Sequence, residues 1–418
     1  MNAMVESPAE LRWIERRYHA SAQRTPPRIV VAIPARNEAD RIGNCLRSLA
    51  EQRSTPDGPA LDESFGVLLF VNGSSDETFE IAAALAPRLG FPIRIYDAVL
   101  SANVNHAGGA RRIAMDLAAG WLEETEAGAA YLLTTDADSR PASDWIAENL
   151  RAFARGADAV AGRIELDAAD EARLCDELRA RGALEASYED LLTEIFARLD
   201  PRPHDPWRRH AAEPGASFAL SLSAYRSTGG LPAIPSGEDR ALASLIETRE
   251  LKLRHEPAVV VVTSGRLVGR ANGGVADALC FRTAHPDAEC DPYLEPVLRA
   301  IVRGFWRGRL RRLHAAGELT KNESWTQYLK IDAVAACGVA RLTPFSRFWE
   351  LAESLSPSLR RRSMRPHELP LQIMLARLAL GVIRRLSVNA LEGGPIDILS
   401  GAVADEAKQS LEPRQETQ

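Results

Sequence analysis

Three uninterrupted apolar runs constrain this chain most: Arg28 to Ile33 (RIVVAI), Phe65 to Val71 (FGVLLFV) and Tyr131 to Thr135. A strand wet on one face alternates apolar and polar residues, so a run without alternation is read as a strand buried on both faces. Between the runs, apolar residues recur at helical spacing: Ile42, Cys45, Leu46 and Leu49, then Phe79, Ile81, Ala82 and Leu85, then a helix over His106 to Trp121. Strands alternating with helices need crossover connections, and the expected fold is therefore α/β, a single mostly parallel sheet with helices on both faces. Further strands are predicted over Ile93 to Tyr96, Ala157 to Gly162, Ser217 to Leu222, Lys252 to His255 and Val259 to Thr263, with helices over Trp145 to Phe153 and Asp167 to Leu199. After about Arg270 the alternation is lost and helical patterns run to Leu391.

The chain is accordingly divided into an N-terminal helical extension (1–27), an α/β domain (28–270), a mainly helical C-terminal region (271–400) and a polar tail (401–418) expected to be disordered. With 418 residues, 45% of them hydrophobic, it can bury a sizeable core. Met1 to Pro26 has no apolar leader core, and even Leu371 to Val388 is broken by Arg377, Arg384 and Arg385, so a cytoplasmic location is expected. The five cysteines, an odd number without C-x-x-C spacing, read as buried, reduced thiols.

In such sheets ligands sit beyond the carboxyl ends of the strands. Here those ends carry Pro34 to Glu38, Asn72 to Asp76, and Asp136-Ala137-Asp138. Two acids one residue apart at a strand's end can hold a hard divalent cation against nucleotide phosphates; a solvated loop has the same signature. His106 to Arg112 opens a helix whose free amides and guanidiniums can face a diphosphate, or is a tightly packed helix start with exposed arginines. Glu238-Asp239 reads on its own as an acidic helix start favoured by the helix dipole.

In this order the segments IPARNE (33–38), VNGSSD (71–76), DAD (136–138) and GED (237–239) resemble a family 2 glycosyltransferase of the GT-A fold over roughly Arg28 to Arg270, helped by Gly215 to Phe218 and Gly229 to Pro232. The resemblance implies a metal-dependent, inverting transfer of a sugar from a nucleoside diphosphate sugar to a hydroxyl acceptor, with no nucleic-acid partner. It places Pro34, Ala35, Arg36 and Glu38 beside the base and ribose, Arg111 near the diphosphate, and Asp138 as direct ligand of Mg2+ or Mn2+, with Asp136 toward the ribose or a bound water. Asp239 becomes the general base, and Glu238 a contact for acceptor or metal-side groups. Asn72 stands where the family often has acids, and Val261 to Ser264 lacks the histidine that some relatives add. A retaining enzyme on the same fold and a degenerate sugar-nucleotide-binding protein are the alternatives. Nucleotidyl transfer fits less well, because Pro34 to Glu38 is not a glycine-rich basic loop.

The net charge of −6 is unevenly spread: residues 303–365 carry 13 Lys and Arg against 5 Asp and Glu. Arg303, Arg307, Arg309, Arg311 and Arg312 share a helix with Leu298, Val302, Phe305 and Trp306. Such a helix lies on an anionic membrane or packs its stripe inward, so peripheral membrane contact through 303–365 is one expectation. Pro203 to Trp207, followed by Arg208, Arg209 and His210, is either an acceptor-binding loop with Trp207 stacked on a sugar or a packed loop. Gly265 to Gly274, with Arg266 and Arg270, is either a lid over the diphosphate or a linker.

Overall fold

The computed structural model describes residues 11–20, 27–61, 64–124, 128–266, 275–321 and 324–385. They form two compact units, 1–176 with 212–284, and 177–211 with 285–418. The strands are β1 (Leu11–Ala20), β2 (Ile29–Ala35), β3 (Phe65–Asn72), β4 (Ile93–Leu100), β5 (Tyr131–Thr134), β6 (Arg140–Pro141), β7 (Ala159–Leu166), β8 (Phe218–Ser221) and β9 (Leu253–Thr263). The helices of the first unit are α1 (Ile42–Ala50), α2 (Thr78–Leu85), α3 (Ala107–Leu122), α4 (Trp145–Ala154) and α5 (Ala168–Glu171). α6 (Asp176–Leu199) belongs to the second unit, and the first resumes with α7 (Leu222–Thr228), α8 (Glu238–Thr248) and α9 (Val275–Ala284).

Among the described residues the strands make one sheet in the order β1-β4-β3-β2-β5-β8-β7-β9-β6. Its centre, β4-β3-β2-β5, is parallel, as the doubly buried runs require, while β1 and β8 join that centre antiparallel. Val31, Ile33, Leu69 and Val71 face Ile42, Cys45, Leu46 and Leu49 of α1. On the other side, Val30, Ala32, Leu68 and Phe70 pack with Ile113, Ala114 and Ala118 of α3. Each aliphatic side chain buried in these layers contributes about 1.5–3 kcal/mol, which is what makes continuous apolar runs good strands here.

Three sequence expectations change. Within the N-terminal extension, expected to be helical, Leu11–Ala20 is a strand that covers the edge of β4, where Arg16 Nε donates to the buried Asp97 Oδ2 at 2.8 Å. An open edge leaves a row of unpaired backbone groups, and pairing satisfies them. The separate strands expected at 252–255 and 259–263 are one strand, because the register with β7 shifts between Gly162 and Arg163 and accommodates Pro257. The helix expected over 167–199 is broken between α5 and α6.

The second unit takes in 177–211 as well as the C-terminal helices, so the division expected at residue 270 is not the observed one. It contains α6, α10 (Val297–Ala315), α11 (Ser324–Leu329), α12 (Ala333–Val339), α13 (Phe345–Leu355) and α14 (Leu369–Ile383). Ile195, Leu199, Ile301, Phe305, Trp325 and Phe348 lie in its core. A Cβ on Gly308 would stand 2.1 Å from the Leu199 carbonyl oxygen, and one on Gly304 3.1 Å from Phe196, so these glycines seat α10 against the end of α6.

α10 packs its apolar stripe inward, with Ile301, Phe305, Trp306 and Leu310 in the core. Arg303 is 3% exposed and pairs with Glu295 and Glu353, while Arg311 donates to both oxygens of Asp200 at 2.7 and 2.8 Å. Arg307 also faces Asp200, at 3.6 Å. Arg303, Arg307 and Arg311 are thus counter-ions to the buried acids Glu295 and Asp200. Pro203 to Trp207 lies in this second unit, with Asp205 buried against Arg209 at 2.9 Å. Residues 386–418, which include the tail expected to be disordered, lie outside the described residues. Among the described residues no helix is long and apolar enough to cross a membrane. All five cysteines are free, but only Cys45 and Cys290 are buried; Cys175, Cys280 and Cys337 are exposed, contrary to expectation.

Candidate functional site

The parallel register Ala35↔Val71 sets the ends of β2 and β3 side by side. Their loops are then tied together by side chains. Asn37 adopts φ 54°, a left-handed backbone that asparagine tolerates. Its N–H donates to Ser74 Oγ at 2.9 Å and its Oδ1 accepts from Ser75 N at 2.8 Å. Glu38 N donates to Thr78 Oγ1 at 2.8 Å, and Asp76 accepts from Ala39 N at 3.0 Å and Thr78 N at 3.1 Å. Asn37 therefore joins two strand-end loops, and Asp76 lies just before α2. Pro34 closes β2 beyond the last residue paired with β5, Ala35 is buried and Arg36 is exposed. Asn72 is 3% exposed; its Nδ2 donates to Asn105 Oδ1 at 3.0 Å, and its Oδ1 has no partner among the described residues.

The Asp136-Ala137-Asp138 turn follows β5 and is held to the end of β9. Ser139 Oγ donates to Thr263 Oγ1 at 2.9 Å, and Arg140 pairs with Val262. This places Asp138 beside Arg266, whose Nη2 lies 3.1 Å from Asp138 Oδ2. The same guanidinium makes a fork to Glu38, at 3.0 and 2.7 Å. Burial, then the neighbouring Asp136 carboxylate, push Asp138 up to about 6 against the pull of Arg266. The Arg266 side chain thus joins residues from the ends of β2, β5 and β9. Arg270 and Gly274 of the expected lid lie outside the described residues.

Arg111 joins the remaining acids. It is 7% exposed and donates through Nη2 to Asp136 Oδ1 at 2.8 Å, through Nε to Glu238 Oε1 at 3.2 Å, and through Nη1 to the Gly215 carbonyl at 2.8 Å and Thr134 Oγ1 at 3.4 Å. Burial alone would lower its pKa, but the carboxylates of Asp136 and Glu238 outweigh that and raise it. Gly215 N also donates to Asp239 Oδ2 at 3.0 Å, and Arg240 N to Asp239 Oδ1 at 2.8 Å. Both acidic motifs, about a hundred residues apart in the chain, therefore converge on one guanidinium and one glycine. A Cβ on Gly215 would stand 2.9 Å from Arg111 Cζ, so only glycine leaves room for this arrangement.

The start of α3, expected to face a diphosphate, is closed. His106 Nδ1 accepts from Gly109 N at 3.0 Å, and a Cβ on Gly108 would meet the Ile234 carbonyl oxygen at 2.1 Å. The glycines serve close packing, and Arg111 points into the protein. Arg112 binds Asp116 and the Leu231 carbonyl, both at 2.8 Å. The sequence reading had no signal for Asn105 or Thr263, because their parts depend on register and loop closure. Gly215 stood inside a recognised segment, but its packing role needed coordinates.

A nine-stranded α/β sheet with five carboxylates near the carboxyl edge of its strands defines a domain built to bind a ligand there. Residues 30–174 match the family model described as Glycosyl transferase family 2. No curated protein matched the chain. Among solved structures it is similar to S. aureus TarS 1–349 in complex with UDP-GlcNAc, with 14% identity, 93% of each chain covered and a TM-score of 0.41. It is also similar to the mannosyltransferase PcManGT from Pyrobaculum calidifontis in complex with GDP-Man and Mn2+, with 17% identity, 94% of this chain and 83% of that one covered, and a TM-score of 0.41. A third likeness is to glucosyl-3-phosphoglycerate synthase from Mycobacterium tuberculosis in complex with Mn2+, UDP and phosphoglyceric acid, with 17% identity, 60% and 75% covered, and a TM-score of 0.34.

Proposed function

We propose that this protein is a glycosyltransferase that moves a sugar from a nucleoside diphosphate sugar to a hydroxyl acceptor with inversion, assisted by Mg2+ or Mn2+. The observation that carries this reading is the bridge made by Arg111 between Asp136 and Glu238, which brings the two acidic motifs to one place.

The donor set suits a hard divalent cation. Asp136 and Asp138 offer oxygen ligands, partly open to solvent, and the crowding of Asp138 by Asp136 marks a site short of positive charge. Among the described residues no three His, Cys, Asp or Glu side chains cluster as a complete metal cage. Magnesium and manganese commonly bind through one or two carboxylates, completing the shell with water and substrate phosphates. Asp138, with Asp136, would hold the ion. Such an ion offsets the negative charge that builds on the leaving diphosphate.

Asp239 is the proposed general base. Two backbone N–H groups fix its carboxylate, and each oxygen retains lone-pair capacity for an acceptor hydroxyl. As the hydroxyl oxygen attacks the anomeric carbon, its proton passes to Asp239 and the bond to the diphosphate breaks. Glu238, held by Arg111, is positioned for acceptor contacts. The unpaired Asn72 Oδ1, buried at the end of β3, supports a contact to an N–H of the base.

Replacing Asp239 with Asn should abolish turnover while leaving nucleotide-sugar affinity intact. A normal rate in that variant would mean another group removes the proton. The anomeric configuration of the product, read by proton NMR, separates inversion from retention.

A further inference from the structure

We infer that Arg266 is a displaceable counter-ion, whose guanidinium holds Glu38 and Asp138 while no divalent cation is bound and competes with that cation for Asp138. The inference rests on the proposed metal-assisted donor site and adds a function to a residue at its rim.

The site contains two bridging arginines with different surroundings. Arg111 has four partners, including a backbone carbonyl and a hydroxyl, and its side chain is 8% exposed. It is built in. Arg266 binds two carboxylates and sits at the end of β9 with its side chain 21% exposed. The carboxylates of Glu38 and Asp138 that meet its guanidinium are of the kind that a hard dication prefers. Asp138 Oδ2 cannot keep its ion pair with Arg266 and also join a cation unless the guanidinium yields or shares it.

Electrostatics gives the same direction. Glu38, Asp136 and Asp138 together repel one another, and Arg266 relieves that repulsion in the unliganded protein. When a dication enters, the guanidinium becomes a like charge beside it. Binding of the ion must therefore be weaker than the carboxylates alone would allow. Once released, the guanidinium fork matches phosphate oxygens as well as it matched Glu38, so displacement would turn a counter-ion into a donor contact.

The test is Mn2+ binding to the unliganded full chain, read from the electron paramagnetic resonance signal of the free ion. Arg266→Gln should bind Mn2+ at least about tenfold more tightly than wild type, the scale of one charge-assisted bond lost by the competitor. Arg41→Gln removes the same unit charge from the neighbourhood, but Arg41 pairs with Asp170 at 3.2 Å, so its gain should be much smaller. Unchanged or weaker binding in Arg266→Gln, or an equal gain in Arg41→Gln, overturns the inference. Should Arg266→Gln fold poorly, Arg266→Lys keeps the charge but loses the two-carboxylate fork, and should tighten Mn2+ by a smaller factor; no tightening counts against the inference. Adding Asp138→Asn to Arg266→Gln should remove the gain. If it does not, Asp138 is not the ligand, and the metal assignment falls with the inference. If wild type binds Mn2+ through Asp138 yet Arg266→Gln shows no gain, only the inference is lost.

Discussion

The half-buried Asp138 and the buried Asp200 both face arginine, and their carboxyls shift in opposite directions. In the sheet unit, burial and Asp136 push Asp138 up to about 6, with Arg266 as its paired cation. In the helical unit, burial would raise Asp200 too, but hydrogen bonding from Arg311 and the charges of Arg307, Arg311 and Arg202 hold it below the usual carboxylate range. The difference lies in local stoichiometry. Around Asp138 acids outnumber cations; around Asp200 cations outnumber acids. A surplus of cation around one buried acid gives a stable strut, whereas a surplus of acid at strand ends leaves a site that gains from a cationic ligand.

If that contrast is right, substitutions in the two units should fail in different ways. The largest effect is expected at Asp239: the Asn variant should lose about a thousandfold in kcat, the scale of removing a general base, while its unfolding midpoint in urea stays near that of wild type. Asp200→Asn should do the reverse for stability, costing about 2 kcal/mol in a denaturant titration because the half-buried Arg307 and Arg311 lose their charge-assisted partner. An equal loss of stability in both variants would erase the distinction between site and strut.

Arg111→Lys comes next. It keeps the charge but cannot span Asp136, Glu238 and Gly215 together, and a shift of about 1 Å in such groups costs roughly a hundredfold in kcat. A wild-type rate would show that convergence on Arg111 is incidental. Gly215→Ala should have a smaller effect of the same kind, on the order of tenfold, since its Cβ would press on the guanidinium at 2.9 Å.

The pH dependence of stability sharpens the comparison most gently. Because the folded state lowers the Asp200 pKa, the stabilisation is present above the unfolded value of about 3.9 and is lost as pH falls through the lower folded value. The stability gap between wild type and Asp200→Asn should therefore narrow on acidification below about pH 4. A gap that widens there would contradict the assigned sign.

The sheet was legible because its central strands are buried on both faces, which leaves a plain apolar run in the sequence. The strand-end acids were legible for a related reason: each polar cluster begins where an apolar run stops. β1 was not, since an edge strand carries charges such as Arg16 and Arg17 and takes its identity from the partner it covers. The inward pairing of Arg111 was not legible, for a physical reason as well. A helix start with glycines and arginines suits an anion, but Gly108 and Gly109 are spent on close contacts and the guanidinium turns inward to acids supplied by distant segments. The pairing of Arg303, Arg307 and Arg311 on α10 was not legible either, because their partners Asp200, Glu295 and Glu353 are dispersed in sequence.

The central claim is that the acids at the strand ends form a donor site completed by a divalent cation. Calorimetric titration of UDP and GDP into wild type and Asp138→Asn, with and without Mn2+, tests it most directly. The account predicts that one of these nucleotides binds wild type far more tightly with Mn2+ present, and that Asp138→Asn abolishes this enhancement. Equal enhancement in the two proteins would contradict it.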